Sequence, residues 1–432
     1  MSLRFITLHP GHFHAALVHK EMYSGVDPRV HVYAPLGPGL LAHLEKLAQF
    51  NTRADNPTRW EVEVHADPDF LHRLAREKPG DIVVLAGHNA TKLQAIETAV
   101  GAGLHVLADK PWILRPEQLP RLAEVLDEAD RQGLIAYDIM TERYEITSIL
   151  QRALVADEEI FGAPLPGSAA SPCVTMESVH FLKKNVAGAP LRRPAVFFDV
   201  EQQGEGLGDV GTHLVDLIPW MLFPGRALDA ESAIRVHSAR RWPTPVGVDD
   251  YRAITGERDF PTWLLPQVAH DQLEYYCNTQ VVYQVGSVWA RLDVLWGMEA
   301  QKGGGDTHHA VFRGSQSSVE VRQGAAENYR PEVYVVPQAG TLEGLKTALA
   351  RRLEALAGAY PALGIEKRYD SLRVTIPEAY RSGHEAHFGA VTRQFLRYVA
   401  AEEKMPAWEK ANMLAKYRVT TDGVALARRQ PR

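Results

Sequence analysis

Short apolar runs alternate with helix-period stretches through the first 140 residues. Leu3–Leu8 is an apolar run closed by His9-Pro10-Gly11, and Ala15-Ala16-Leu17-Val18 opens a helix-like stretch. Further strands are predicted at Arg29–Ala34, Val62–His65, Asp81–Ala86, His105–Leu107 and Leu134–Tyr137. Between them, helical spacing is carried by Leu71, Leu74 and Ala75 after Asp67-Pro68, by Leu93, Ile96 and Val100, and by Leu119, Leu122 and Leu126. The unit Asp81 to Leu107 reads strand, loop, helix, strand, a crossover whose two strands run parallel with their carboxyl ends on one side. Asn89 and Lys110 therefore share one rim of the sheet. After Gly225 the period changes to two. Thr279–Gln284, Val288–Trp296, His309–Arg313 and Ser318–Arg322 alternate as antiparallel strands, with another near Thr175–Phe181. Residues 226–274, containing prolines and little periodicity, read as an insertion or a lid. Two helices follow, marked by Leu342, Leu345, Leu349 and Leu356 and by Phe388, Val391, Phe395 and Val399. The expected class is α/β: a Rossmann-type dinucleotide-binding parallel sheet over 1–140, then an α+β domain with a mainly antiparallel sheet over 141–432.

The length of 432 residues agrees with two cores rather than one. A net charge of -6, with basic runs no longer than pairs such as Lys183-Lys184, gives no electrostatic footprint for nucleic acid or a membrane surface. Two cysteines, Cys173 and Cys277, make no disulfide framework and fit a reducing compartment. The amino terminus lacks the apolar core of a signal peptide, and no apolar run is long enough to span a bilayer. A cytoplasmic protein is expected.

The chemistry-bearing stretch is His105 to Trp112, where an apolar strand runs into Asp109-Lys110-Pro111. Proline offers no N–H to the ladder and disfavours helix at the residue before it, so the strand ends and holds Lys110 extended at the ligand-binding edge of an open sheet. At the first turn, His9-Pro10-Gly11-His12-Phe13-His14 supplies one glycine where a dinucleotide turn usually has three, so close backbone approach is supported at Gly11 alone. The second strand ends without an Asp or Glu for a ribose hydroxyl, which leaves NAD and NADP equally open. The histidines of that turn, with His88, lack zinc-like spacing, and no metal is expected. His308-His309 reads as surface, and His384-Glu385-Ala386-His387, one residue short of a zinc helix motif, as a helix opening. Downstream, Asp209 and His213 stand four apart beside a helix with Leu214, Leu217, Ile218 and Met221 as its stripe. A carboxylate so placed can orient an imidazole for proton transfer.

The segment Gly101-Ala102-Gly103-Leu104-His105-Val106-Leu107-Ala108-Asp109-Lys110-Pro111 resembles the A-G-K-H-V-x-x-E-K-P segment of the glucose-fructose oxidoreductase and inositol dehydrogenase (Gfo/Idh/MocA) family, with Asp109 in place of its Glu. Ala86-Gly87-His88-Asn89 resembles that family's cofactor loop, and Arg143-Tyr144 its arginine-aromatic segment. Gly206, Asp209, Gly211, His213 and Asp216 match its G-G-x-x-x-D-x-G-x-H-x-x-D motif. The resemblance is clear over residues 80–225. It implies an active site of Lys110, Asp209 and His213, with Asp216 a structural helix residue. It also implies NAD or NADP bound near Gly87, His88, Asn89, Asp109 and Lys110, while the first turn, read from its own residues, puts Gly11, His12, Phe13 and His14 beside the same cofactor. The implied substrate is a small polyol or sugar, and the second domain would bind it and join a homodimer or homotetramer through its sheet. The reaction expected is hydride transfer at a secondary alcohol. Two alternatives are a tightly held NAD that oxidises the sugar transiently for elimination or glycoside cleavage, and a non-catalytic sugar or nucleotide sensor.

Overall fold

A computed structural model describes residues 2–186 and 189–430. Its contacts divide the chain into two compact units, one made of residues 1–144 and 383–414, the other of 145–382 and 415–432. In chain order the first unit opens with β1 (Phe5–Leu8), α1 (His14–Leu17), β2 (Arg29–Ala34), α2 (Pro38–Thr52), β3 (Glu61–Ala66) and α3 (Phe70–Glu77). It continues with β4 (Ile82–Leu85), α4 (Lys92–Gly101), β5 (His105–Asp109), α5 (Leu119–Arg131) and β6 (Ala136–Ile139). The six strands form one sheet in the order β3-β2-β1-β4-β5-β6, every pair parallel. That order reverses direction between β1 and β4, the point at which open α/β sheets bind ligands. β1 and β4 are wholly buried, as strands covered on both faces must be.

The second unit runs through α6 (Ile146–Val155), β7 (Val174–Lys183), the two-residue strands β8 (Asn185–Val186) and β9 (Ala189–Pro190), α7 (Val200–Gln203) and α8 (Gly211–Leu222). It then has β10 (Ile234–Gly247), α9 (Val248–Thr255), β11 (Val268–Ala269), β12 (Gln272–Val285), β13 (Val288–Glu299), β14 (Thr307–Arg313), β15 (Ser317–Gln323), β16 (Glu332–Pro337), α10 (Leu342–Leu356), β17 (Gly364–Lys367) and β18 (Leu372–Thr375). The large sheet is ordered β10-β12-β13-β7-β14-β15-β16-β18-β17, with β11 paired to β12. It is antiparallel except where β13 meets β7. α6 is fastened to this sheet by Gln151, whose Nε2 donates to the carbonyls of Ala310 (3.2 Å) and Val319 (3.0 Å).

Two expectations change. The contacts place residues 383–414 with the first unit rather than the second, because α11 (His384–Val399) supplies Phe388, Val391, Phe395 and Leu396 to the core that includes Tyr137 and Ile139 of β6. The stretch 226–274 is not a plain insertion, since β10 within it pairs with β12 from Ile234 to Gly247 as a strand of the sheet. Its alternation is hidden by register shifts between Val236 and Ser238 and between Trp242 and Thr244. Helices α2, α6 and α12 (Ala407–Arg428) and strands β16 to β18 add elements that the pattern reading did not predict.

Candidate functional site

The rim of the first unit's sheet is built by the loops that follow β1, β4 and β5. Gly11 donates its N–H to the carbonyl of Ala86 (2.9 Å), so the first two loops meet at the point where strand order reverses. Gly87 is what lets them meet: its φ is +85°, and a Cβ there would stand 2.6 Å from the carbonyl carbon of Gly11 and 2.8 Å from the nitrogen of His12. The turn is lined with rings where a glycine-rich loop would be bare. His9 stacks on His88 at 3.6 Å between centroids. Burial, then the neighbouring His88, lowers the pKa of His9 to about 4. His12 packs edge-on against His14, and Phe13 stands half exposed.

β5 ends at Asp109, which leaves Lys110 as the first residue beyond its carboxyl end, joined to Pro111 by a cis peptide. Asp109, Lys110 and Asn89 are all buried. The Asp109 carboxylate lies 2.9 Å from His14 Nδ1. Burial opposes its ionisation, but His14, Lys110 and Lys92 outweigh that and hold it well below the usual carboxylate range. Burial lowers the pKa of His14, and Asp109 opposes that shift. Sequence reasoning missed Lys92, the first residue of α4. Its Nζ is buried and donates to the carbonyls of Asp109 (2.6 Å) and Pro111 (3.0 Å), bracketing Lys110. The sequence carries no signal for it, because a lysine opening a helix is ordinarily solvated. His12, His14 and Asp109 also offer ligand atoms within 4.8 Å of one another, but the ammonium groups that act on Asp109 oppose a dication there. Arg143 is committed within this unit, since both carboxylate oxygens of Glu409 accept from its Nη1 at 3.0 and 2.8 Å.

In the second unit the motif lies at the start of α8. Asp209 sits in the turn before the helix, its N–H donated to the carbonyl of Glu205 (3.0 Å), and His213 lies one turn further on; both are half buried. The turn is pressed onto β12: a Cβ on Gly206 would stand 1.9 Å from the carbonyl oxygen of Cys277. Asp216 faces Lys416 at 3.3 Å in a fully buried pair, a structural use. Asp209 interacts electrostatically with Arg193, Tyr275 and Cys277. Burial pushes the Cys277 thiol up to about 12, which removes it as a nucleophile. Arg193 stacks its guanidinium on Phe197 (4.4 Å) and Trp296 (5.3 Å). Next to it, His180 packs on Trp296 at 4.9 Å and links Ser178 Oγ (2.8 Å) to Asp306 (3.2 Å), whose carboxylate also accepts from Lys184 (2.8 Å). These polar groups were not singled out from sequence because they come from β7 and from loops far apart along the chain.

His309 is exposed beside Glu320 (3.6 Å), and His384 begins α11. Among the described residues no helix is long and apolar enough to cross a membrane.

A 3-2-1-4-5-6 parallel sheet with a placed lysine, and a mainly antiparallel sheet bearing an Asp-x-Gly-x-His turn, define a two-unit protein of the oxidoreductase class. The family model described as "Putative oxidoreductase C terminal domain" matches residues 150–428, and the chain belongs to that family, of the Gfo/Idh/MocA type its motifs resemble. A crystal structure of a "putative oxidoreductase" from Parabacteroides merdae ATCC 43184 is similar over 99% of this chain and 98% of its own, with 41% identity and a TM-score of 0.95. GenD2 from gentamicin A biosynthesis, solved with NAD, shares 15% identity over 99% of this chain and 95% of its own, with a TM-score of 0.59. KijD10, a 3-ketoreductase from Actinomadura kijaniata solved with NADP and TDP-benzene, shares 14% over 98% and 96%, with a TM-score of 0.55. The last two likenesses show the fold alone. No curated protein gives a significant match.

Proposed function

We propose that the protein is an NAD(P)-dependent oxidoreductase that moves a hydride to or from a secondary alcohol of a sugar, an inositol or a glycoside. The observation that carries this reading is the pair of motifs in a chain of this family: Lys110 at the carboxyl end of β5, and Asp209 with His213 at the start of α8. The dinucleotide is assigned to the rim where the Gly11 and Gly87 loops touch, because strand order reverses there between β1 and β4. Gly11, His12, Phe13, His14, Gly87, His88, Asn89, Asp109 and Lys110 are assigned to hold it. The ligands of GenD2 and KijD10 agree with either NAD or NADP. When bound, the nicotinamide supplies the hydride acceptor or donor. His213 is assigned the proton of the reacting hydroxyl, the Lys110 ammonium the hydrogen bond that stabilises the developing alkoxide, and Asp209 the orientation of His213 or the grip on a neighbouring hydroxyl.

The test begins by denaturing purified protein and identifying released nucleotide by mass, followed by a panel of sugars and polyols monitored for reduced nicotinamide. Lys110→Ala should lower turnover by about 10²–10⁴-fold with an unchanged circular dichroism spectrum. Near-normal turnover would remove Lys110 from the mechanism. Altered sugar without net reduced nicotinamide would replace the dehydrogenase with transient oxidation, and sugar binding without any product would leave a sensor.

A further inference from the structure

We propose that His31, Glu63 and His65 form a binding site for a divalent transition-metal ion of the zinc class on the two outer strands of the parallel sheet. The site is independent of the function proposed above. β2 and β3 pair in register with His31 opposite Glu63 and Tyr33 opposite His65. Residues two apart on a strand point to the same face, so both imidazoles and the carboxylate project together.

The ligand atoms already stand at metal spacing. His31 Nδ1 lies 3.1 Å from His65 Nε2. Glu63 reaches them with one carboxylate oxygen each, Oε2 at 3.6 Å from His31 Nδ1 and Oε1 at 3.7 Å from His65 Nε2. Ligands about 2.0–2.2 Å from a tetrahedral zinc stand about 3.3–3.6 Å from one another, so an ion fits among these atoms with small side-chain adjustments. Two histidines and one carboxylate are a zinc donor set, and solvent at the exposed Glu63 can complete it.

The surroundings support the imidazoles as ligands. His65 is held flat against the Tyr33 ring, centroids 4.1 Å apart and planes 10° from parallel. Its far nitrogen, Nδ1, is 3.2 Å from Arg73 Nη2 and 3.9 Å from Glu77 Oε2. Without metal, Nδ1 accepts from Arg73 and the proton on Nε2 points at His31. With metal on Nε2 the proton is carried on Nδ1, which requires Arg73 to turn from Nδ1 to its other partners, Glu77 (2.9 Å) and Asp67 (3.7 Å), and Glu77 Oε2 to close from 3.9 Å to accept it. Glu77 is itself fixed by the Tyr33 hydroxyl at 2.7 Å, which gives the site an outer carboxylate of the kind that orients metal-bound histidine. Arg4 and Arg29 act on His31, and Arg73 on His65, with opposing charge, while Glu63 acts on both imidazoles and Glu77 on His65 with the favourable sign; Arg4 also lies beside Asp27 at 3.7 Å. An ion here would clasp β3, whose side chains are mostly exposed, to the buried strand β2.

The test titrates chelator-treated full-length protein with Co²⁺, read by its visible absorption, and with Zn²⁺, read by calorimetry and by the thermal midpoint. One ion per chain is expected, with a raised midpoint. Glu63→Gln, at an exposed position that leaves the fold intact, should weaken binding about tenfold or more. His65→Gln should abolish the cobalt spectrum. The proposal is overturned if the wild-type chain binds no stoichiometric ion. It is equally overturned if affinity and spectrum survive unchanged in Glu63→Gln, which would send the ion to the His12 cluster.

Discussion

Asp306 shows at the scale of one residue how the second unit fixes charge on its sheet. It accepts from Lys184 and His180 at 2.8 and 3.2 Å, and although burial opposes ionisation, these partners lower its pKa to about 2. A carboxylate whose folded pKa is depressed adds stability above its unfolded pKa and loses it as pH falls through the folded value. The contribution is about 1–2 kcal/mol, allowing for its partial exposure. Asp306→Asn should therefore cost that amount near pH ~6, and the difference from wild type should shrink between pH ~5 and ~2, measured by urea unfolding at each pH. A pH-independent difference would mean that packing, not charge, explains the loss. Asp109 follows the same logic where three cationic or imidazole partners surround it. There the carboxylate anchors His14, while Lys92 anchors the backbone on either side of Lys110.

Among elements, the turn before α8 is the one whose geometry is set by a close approach. A Cβ on Gly206 would stand 1.9 Å from the Cys277 carbonyl oxygen, and that atom belongs to the backbone of β12, paired on both sides by β10 and β13, with no side chain to swing aside. Gly206→Ala should cost about 1–3 kcal/mol and displace the turn that carries Asp209. Denaturant unfolding gives the cost. A fall in turnover larger than that seen for an equally destabilising substitution at an exposed position of α10 would show that the displacement reaches the site. The two motifs were legible in the sequence because each is local: a strand that stops at Asp109-Lys110-Pro111, and a glycine turn that opens a helix. So were β1 to β6, as apolar runs or, in β2 and β3, as alternating ones. What stayed hidden depends on distant partners. The alternation of β10 is broken by its two register shifts. Arg193, His180 and Asp306 are ordinary polar residues until β7 and its neighbours bring them together. α2 buries only Leu40, His43 and Leu47, too sparse a stripe to stand out.

For the whole molecule, the main consequence of the architecture is that the first unit is not contiguous in sequence. Its core joins Phe5, Val30, Ile82 and Leu107 from the sheet to Phe388, Val391, Phe395 and Tyr398 from α11, with Tyr137 stacked on Phe395 and edge-on to Tyr398. The buried pair of Arg143 with Glu409 ties the returning segment a second time. Removing α11 would uncover several aromatic-sized patches on β6, each worth about 1.5–3 kcal/mol of lost burial, and would leave Arg143 charged without its carboxylate. Together these exceed the few kcal/mol by which a domain of this size is stable. A fragment of residues 1–144 should therefore behave as a loosely packed or aggregating species that binds a hydrophobic dye and unfolds without a cooperative transition. The same fragment joined to residues 383–414 by a flexible linker should regain near-ultraviolet circular dichroism and a sharp unfolding midpoint. Cooperative unfolding of 1–144 alone would mean that α11 merely decorates a self-sufficient sheet. The order of synthesis then matters: the sheet is made first but completes its core only after residue 383 is made, so its exposed β6 face must wait through the whole second unit.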